Sequence, residues 1–322
     1  MTTAKKPAAK KAIAKKAPAK RAASKKSEED LIAEALTPDE SVFEMYYPRS
    51  FPGWIEEDGT VVEFEDLDML QFADEENQNV LMFGPTGPGK TTAVMAYAAK
   101  VQKPVVTISC NGGVDPNTFW GQPVREKDGS FTFSWSTVLL GIANGWIINL
   151  DEINFLLPRI GAVFHPALDG RRIIVVPDLG NKVIPVHPDT FFVASYNPGY
   201  QGTRPLNEAF KNRFPMKWHY GYDREIEAHV VPIADGTNVE PLLDLADRLR
   251  KMYEDGTIIT PVSTNMLREF LNVSSRTSYD FGTWNFTNAF EEDERQAVRN
   301  NFDLLETQLR ELVDQTKAAA GI

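Results

Sequence analysis

The stretch GPTGPGKTT, residues 84–92, sets Gly84, Gly87 and Gly89 among Pro85, Thr86 and Pro88, then closes on Lys90, Thr91 and Thr92. Glycines at this spacing let a backbone wrap closely around an anion and turn its N–H groups inward, because no Cβ forbids the dihedrals. A lysine after the last glycine brings a point charge to phosphate oxygens. The hydroxyl beside it suits a hard cation that keeps most of its oxygen shell. The pattern predicts a cradle for a nucleotide's phosphates, with Lys90 on the β and γ groups and Thr91 on Mg2+.

A second stretch, WIINLDEIN (146–154), leads an apolar run into Asp151 and Glu152. In open parallel sheets ligands bind at the C-terminal strand ends, where these two acids fall. Asp151 is expected to hold Mg2+, directly or through water, and Glu152 to polarise an attacking water. Two adjacent acids also read as an ordinary strand-end turn, but an apolar strand delivering them to the edge of the phosphate loop favours the chemical reading. Asn197 ends TFFVASYN (190–197) just before Pro198. An amide there can orient water or sense a γ-phosphate, and Asn before Pro is also common in turns.

These residues need elements to hold them. NVLMFG (79–84), PVVTISC (104–110), GWIINLDE (145–152), TFFVASYN (190–197) and MKWHYG (216–221) are apolar or β-branched runs, several separated by helical patterns such as KTTAVMAYAAKVQ (90–102). Strand, helix and strand in sequence, with nearly continuous apolar strands, predict a parallel sheet covered on both faces. The phosphate loop then joins a strand to a helix N-terminus, whose dipole favours anions. PVREKDGSFTF, with its Asp128-Gly129 turn, and RRIIVVPDLGNKVIPV, turning at 177–181, read as inserted hairpins. From residue 223 onward the periodicity is helical, which predicts a small all-helical second domain. SEEDLIAEAL (27–36) reads as a short helix capped by Ser27. Residues 37–76 read as an irregular lead-in with one small strand, TVVEFE. The predicted organisation is a basic tail (1–27), a lead-in (28–76), a nucleotide-binding α/β domain (77–222) and a helical lid with C-terminal helices (223–322).

Composition sets outer bounds. The 322 residues, 42% hydrophobic, suffice for one large core or two smaller ones. No apolar run approaches the roughly 18 residues a bilayer span needs, so no membrane role is expected. The single cysteine, Cys110, ends an apolar run and reads as a buried structural thiol, consistent with a cytoplasmic setting. His165, His187, His219 and His229 show no metal-ligand spacing. Residues 1–26 carry ten Lys and Arg and no acid, so a net charge of -11 leaves the remaining chain at -21. Such a segment reads either as a tether for polyanions, through counterion release, or as a solubilising tail. The acidic body argues against a broad nucleic-acid surface.

The succession LMFGPTGPGKTT, IINLDEIN, ASYNPGYQGT and LNEAFKNRFP resembles the AAA+ ATPases. More narrowly it resembles the MoxR group, particularly its CbbQ/NorQ-like members and the related phage and cobaltochelatase-subunit ATPases. The resemblance spans about residues 77–285. It implies a P-loop α/β core with a five-stranded parallel sheet and two hairpin insertions, a helical lid, ATP and Mg2+ as ligands, and a homo-oligomeric ring, usually hexameric. On it, Lys90 and Thr91 match the Walker A residues, Asp151 and Glu152 the Walker B pair, and Asn197 sensor 1. Arg213, in the basic and aromatic stretch EAFKNRFPMKW (208–218), matches the arginine finger that reaches a neighbour's ATP. Phe210, Phe214 and Trp218 are expected to pack the core, Arg213 to point outward, and Lys211 and Lys217 to be solvated. Phe119 and Trp120 fall where a central-pore loop occurs and read equally as core residues. One position departs from the group. The sensor 2 arginine usually follows a Ser-Thr pair, but Ser263-Thr264 is followed by Asn265. Arg268, one turn on, shares its face; either it substitutes or the lid senses nucleotide weakly.

Three functions fit: an ATP-hydrolysing ring that remodels a protein client, such as a von Willebrand factor A domain protein or a metalloenzyme; a nucleic-acid-linked nucleotidase tethered by the tail; or a structural protein that binds ATP and turns it over little.

Overall fold

Five apolar runs form one parallel sheet; the three inner runs are buried on both faces, and the two edge runs leave Thr107, Ser109, Lys217 and His219 exposed. The computed structural model describes residues 26–110, 113–199, 205–232, 237–319 and 321. The chain enters through helices α1 (Glu28–Leu36) and α2 (Ser41–Glu44), an antiparallel hairpin of β1 (Ser50–Ile55) and β2 (Val61–Glu65), and α3 (Asp66–Glu75). The core follows as β3 (Val80–Phe83), α4 (Lys90–Val101), β4 (Val105–Ser109), α5 (Pro116–Trp120), the hairpin β5 (Gly121–Arg125) and β6 (Phe131–Trp135), α6 (Thr137–Asn144) and β7 (Ile147–Asp151). Next come α7 (Pro158–Leu168), the hairpin β8 (Ile173–Val176) and β9 (Lys182–Pro185), β10 (Phe191–Tyr196), α8 (Glu208–Lys211) and β11 (Met216–His219). The remainder is helical: α9 (Arg224–Val230), α10 (Glu240–Glu254), α11 (Thr264–Arg276), α12 (Tyr279–Thr287), α13 (Arg295–Leu304) and α14 (Glu306–Ala319).

Strand order is β11-β3-β10-β7-β4, all parallel. The period-2 alternation of each strand splits the core in two. Leu81, Ile148, Leu150, Phe192 and Ala194 join α5, α6 and α7 on one face. Val80, Met82, Ile147, Phe191 and Val193 join α3 and α4 on the other. The same alternation sends Asp151 and Ser195 to the α4 side, the side of the phosphate loop. A third apolar cluster, built from α10 to α14 and their connections, gives the C-terminal helices a core of their own.

Ser27 caps α1 in a reciprocal box with Asp30, as its sequence predicts. The lead-in is more regular than expected. Its hairpin escapes detection because Pro52 and Gly53 interrupt the alternation of β1, where the ladder register also shifts. Both predicted insertions form hairpins. Of the basic tail, residues 1–25 lie outside the described residues, as do residues 200–203 of ASYNPGYQGT. Cys110 is buried; burial, with Asp151 and Glu152 nearby, pushes its thiol up to about 12. No described helix is long and apolar enough to cross a membrane.

Candidate nucleotide site

The loop after β3 takes its shape from glycine. Gly84 has φ +145, and a Cβ there would lie 2.0 Å from the Tyr220 carbonyl oxygen beside β11. Gly87 has φ +83, and a Cβ would lie 2.9 Å from Cβ of Ser263, the residue that caps α11. The first glycine therefore lets the loop press against its own sheet, and the second lets the lid press against the loop.

Lys90 opens α4 with its side chain folded back over the loop. Its Nζ donates to the Gly84 carbonyl (3.1 Å), the Pro85 carbonyl (2.6 Å) and Oδ1 of Asn197 (2.6 Å). Burial lowers its pKa to about 8, against a partial upward pull from Asp151. A buried ammonium held by neutral oxygens is a cation whose charge still awaits an anion.

Next along α4, Thr91 Oγ1 donates to Oδ2 of Asp151 (3.0 Å). The other oxygen of Asp151 accepts from the Ser195 hydroxyl and from the Glu152 amide (2.9 Å). Glu152 has φ +56, a left-handed conformation that costs a non-glycine residue about 1–3 kcal/mol. This bend takes it out of strand geometry, and its carboxylate accepts from Ser109 Oγ (2.7 Å) at the tip of β4. Ser109 pairs in register with Asp151, so the sheet itself brings the two acids and their serines together. At the tip of β10, the Asn197 carbonyl accepts from buried Asn154 (3.0 Å).

Lys90, Thr91, Asp151, Glu152 and Asn197 thus converge at the C-terminal edge of β3, β7 and β10, at the switch point where β10 and β11 flank β3. Beside them a cleft of about 280 Å³ runs between Gly87 to Gly89 and Thr92 on one wall, Tyr46, Tyr47 and Arg49 on another, and Thr264, Asn265 and Arg268 of α11 on a third. Asn265 and Arg268 do share a face of α11. No hydrogen bond or ion pair engages Arg268 among the described residues.

Several supports of the site are invisible in any motif. Ser109 and Ser195 orient the two acids. Buried Arg49 donates to the Pro88 carbonyl (2.9 Å) and the Gly221 carbonyl (3.0 Å), pinning the outside of the loop. The Arg49 N–H, the Tyr46 hydroxyl and the Tyr220 hydroxyl all reach the carboxylate of Asp66, whose pKa burial raises. The only sequence signal for these groups is their polarity inside otherwise apolar or aromatic stretches.

Arg213 does not join the cluster. It precedes β11 at the opposite edge of the sheet, where its carbonyl accepts from Asn79 (2.7 Å) just before β3. Its guanidinium is not aimed outward, as expected, but lies along its own chain. It donates to the carbonyls of His165 (3.4 Å) and Ala209, with Asp169 at 3.7 Å. Three-quarters of the side chain is covered. Carbonyls near the C-terminal ends of α7 and α8 attract it there. Phe210, Phe214 and Trp218 are core residues. Lys211 pairs with Glu208 (2.8 Å). Phe119 and Trp120 are also core residues, packed against Phe164, which removes them from the pore-loop reading.

A parallel sheet of this order, a glycine loop leading into α4, paired acids on the neighbouring strand and a helical lid define a P-loop α/β nucleotide fold. Residues 79–214 match the profile of the AAA domain, dynein-related subfamily. An uncharacterized protein of Staphylococcus aureus (strain NCTC 8325 / PS 47) is 32% identical over 191 residues, 56% of this chain and 72% of that protein. An uncharacterized protein of Staphylococcus haemolyticus (strain JCSC1435) is 30% identical over 190 residues, with the same shares. A proposed ATPase from Cytophaga hutchinsonii ATCC 33406 has a solved structure at 19% identity and TM-score 0.43, covering 76% of this chain and 87% of that one. Residues 79–214 thus form an AAA domain, and the core they build is an AAA+ ATPase domain.

Proposed function

We propose that the protein binds ATP with Mg2+, hydrolyses it as a subunit of a closed ring of MoxR or CbbQ type, and uses the cycle to remodel or activate a protein client. The observation that carries this reading is the meeting of Lys90, Thr91, Asp151 and Asn197 at one sheet edge. The donor set fits the ligands. A buried, unneutralised ammonium suits phosphate. The described residues contain no group of three or more His, Cys, Asp or Glu able to hold a metal. Thr91 and Asp151 would therefore hold Mg2+ together with phosphate oxygens and water, the coordination this ion prefers. When bound, Mg2+ supplies charge neutralisation and polarisation of the β and γ oxygens.

The chain's own groups divide the remaining work. Loop N–H groups and the α4 N-terminus cradle the phosphates. Lys90 neutralises them, and Asn197 orients the γ group. The Glu152 carboxylate, steadied on one side by Ser109, accepts a hydrogen bond from the attacking water. Arg213, held at the end of β3 away from the loop, would reach the site of the next subunit. A nucleic-acid tether through the tail rests on the charge of residues 1–26 alone, and the acidic body opposes it.

The test is Glu152→Gln. It is expected to bind ATP, assemble, and lose about 10²–10⁴ in turnover, the range for a lost general base. Normal turnover in that variant removes Glu152 from the mechanism.

A further inference from the structure

The lid reaches the phosphate loop through a residue outside every motif. Tyr222 lies between β11 and α9, where the sheet domain hands over to the helices. Its hydroxyl donates to the Thr86 carbonyl (2.8 Å). A trans peptide points its C=O and N–H in opposite directions. Holding the Thr86 carbonyl from outside therefore aims the Gly87 N–H to the inside of the loop. Arg49 does the same for the Pro88 carbonyl and the Gly89 N–H.

Unlike Arg49, Tyr222 is itself gripped by the lid. The Arg250 guanidinium lies over its ring, 3.5 Å from the centroid. Arg250, on α10, makes a bidentate pair with Glu227 of α9 (2.7 and 2.6 Å) and donates to the Val262 carbonyl (3.1 Å). Glu227 also accepts from the Thr264 hydroxyl of α11 (2.6 Å). Arg250 and Glu227 are both buried. A buried ion pair is a costly way to gain stability, and its retention makes sense where a fixed relative geometry is required. The planar fork supplies that geometry, because it can pair with a carboxylate and stack on a ring at once. Ser263, next to Thr264, packs directly against Gly87.

We propose that Tyr222 is a positioning residue that couples lid orientation to the phosphate loop. Glu227, Arg250 and Thr264 tie three lid helices to its ring, and its hydroxyl sets the peptide that presents the Gly87 N–H. A tilt of the lid moves the ring and so changes phosphate binding, and an anion that seats on the Gly87 N–H holds the lid in turn. Thr264, one member of the linkage, directly precedes Asn265, which lines the cleft beside the loop. It rests on reading the loop as a nucleotide site.

The test uses the full chain with Tyr222→Phe, which deletes one hydroxyl and leaves the ring under Arg250. Binding of a non-hydrolysable ATP analogue is expected to weaken about fivefold, the worth of one neutral hydrogen bond. The melting temperature should fall by no more than about 4 °C, because the same hydrogen bond is made without ligand. In the wild type the analogue should slow amide exchange across residues 263–268, and in Tyr222→Phe that protection should be lost at saturating ligand. Arg250→Lys, which keeps the charge but not the stacked fork, should lose the same protection. Tyr222→Phe with wild-type affinity and full protection overturns the linkage. So does weaker binding that comes with intact protection, since a hinge that merely packs would behave that way. If the wild type binds the analogue no better than Lys90→Ala, the nucleotide reading itself fails, and the two failures are told apart.

Discussion

The two ends of β3 each carry a cation, and the cations are treated differently. At the C-terminal end Lys90 is drawn into the chain's own site, where Thr91, Asp151, Glu152 and Asn197 surround it. At the N-terminal end Arg213 rests on backbone carbonyls. Its nearest acid, Asp169, is already taken by Arg171 at 2.8 Å, a contact that lowers the Asp169 pKa to about 2. One end gathers a complete set of cation, hydroxyl, acid and amide groups at a single sheet edge. The other is a charge resting on backbone carbonyls, with an anion it shares with Arg171. The lesson is that one end of a strand can gather a polar cluster while the other seats its cation on backbone, and in the proposed ring a second copy would be that cation's target.

That contrast can be broken most sharply at Arg213. Arg213→Ala is expected to keep ATP binding and lose about 10³–10⁵ in hydrolysis, the range for an arginine acting in trans. Lys211→Ala, two residues away and paired with Glu208, should change little. Equal losses from both would make the stretch a generic basic patch. A smaller effect tests the complete end. Gly84→Ala places a Cβ against the Tyr220 carbonyl at φ +145, and the dihedral alone is expected to cost about 1–3 kcal/mol, read by chemical denaturation. The smallest effect is in pH. With its pKa lowered to about 8, Lys90 in the ligand-free protein loses its proton above that pH, and nucleotide binding must then take one up. Affinity should hold below pH 8 and fall by about tenfold per unit above it. Without ligand the sign reverses. The unfolded chain keeps this proton up to the ordinary lysine range, so this group makes the fold more stable as pH rises from about 8 toward 10.5. An affinity flat to pH 9.5 would show that burial does not lower the Lys90 pKa to about 8 in the ligand-free protein.

The complete end was also the legible one. The loop and the Asp151-Glu152 pair work through residues adjacent in sequence, so spacing alone reveals them. The three inner strands could be read because burial on both faces leaves each a nearly unbroken apolar run, and the edge strands because apolar or β-branched residues still dominate them. Ser109, Ser195, Arg49 and Tyr222 reach the site only through strand register and the packing of separate segments, and no local pattern marks them. Phe119 and Trp120 show the converse. An aromatic pair at a familiar position fits a pore and a core equally, and only its contacts with Phe164 decide. The lead-in hairpin is hidden by Pro52 and Gly53. The outward aim of Arg213 fails for a similar reason, since side-chain direction depends on which carbonyls lie within reach.

Asn79 gives β3 a further meaning. Its single amide group donates to both the Leu168 carbonyl, at the end of α7, and the Arg213 carbonyl. One residue later β3 begins, and one residue after β3 ends comes Gly84. Four strand residues, about 13 Å of stiff extended chain, therefore act as a connecting rod. The phosphate cradle is fixed to one end and the arginine's backbone is pinned to the other. In the proposed ring, a displacement at one nucleotide would be delivered to the next with little slack, and the timing of neighbouring sites would be set by the length of a strand.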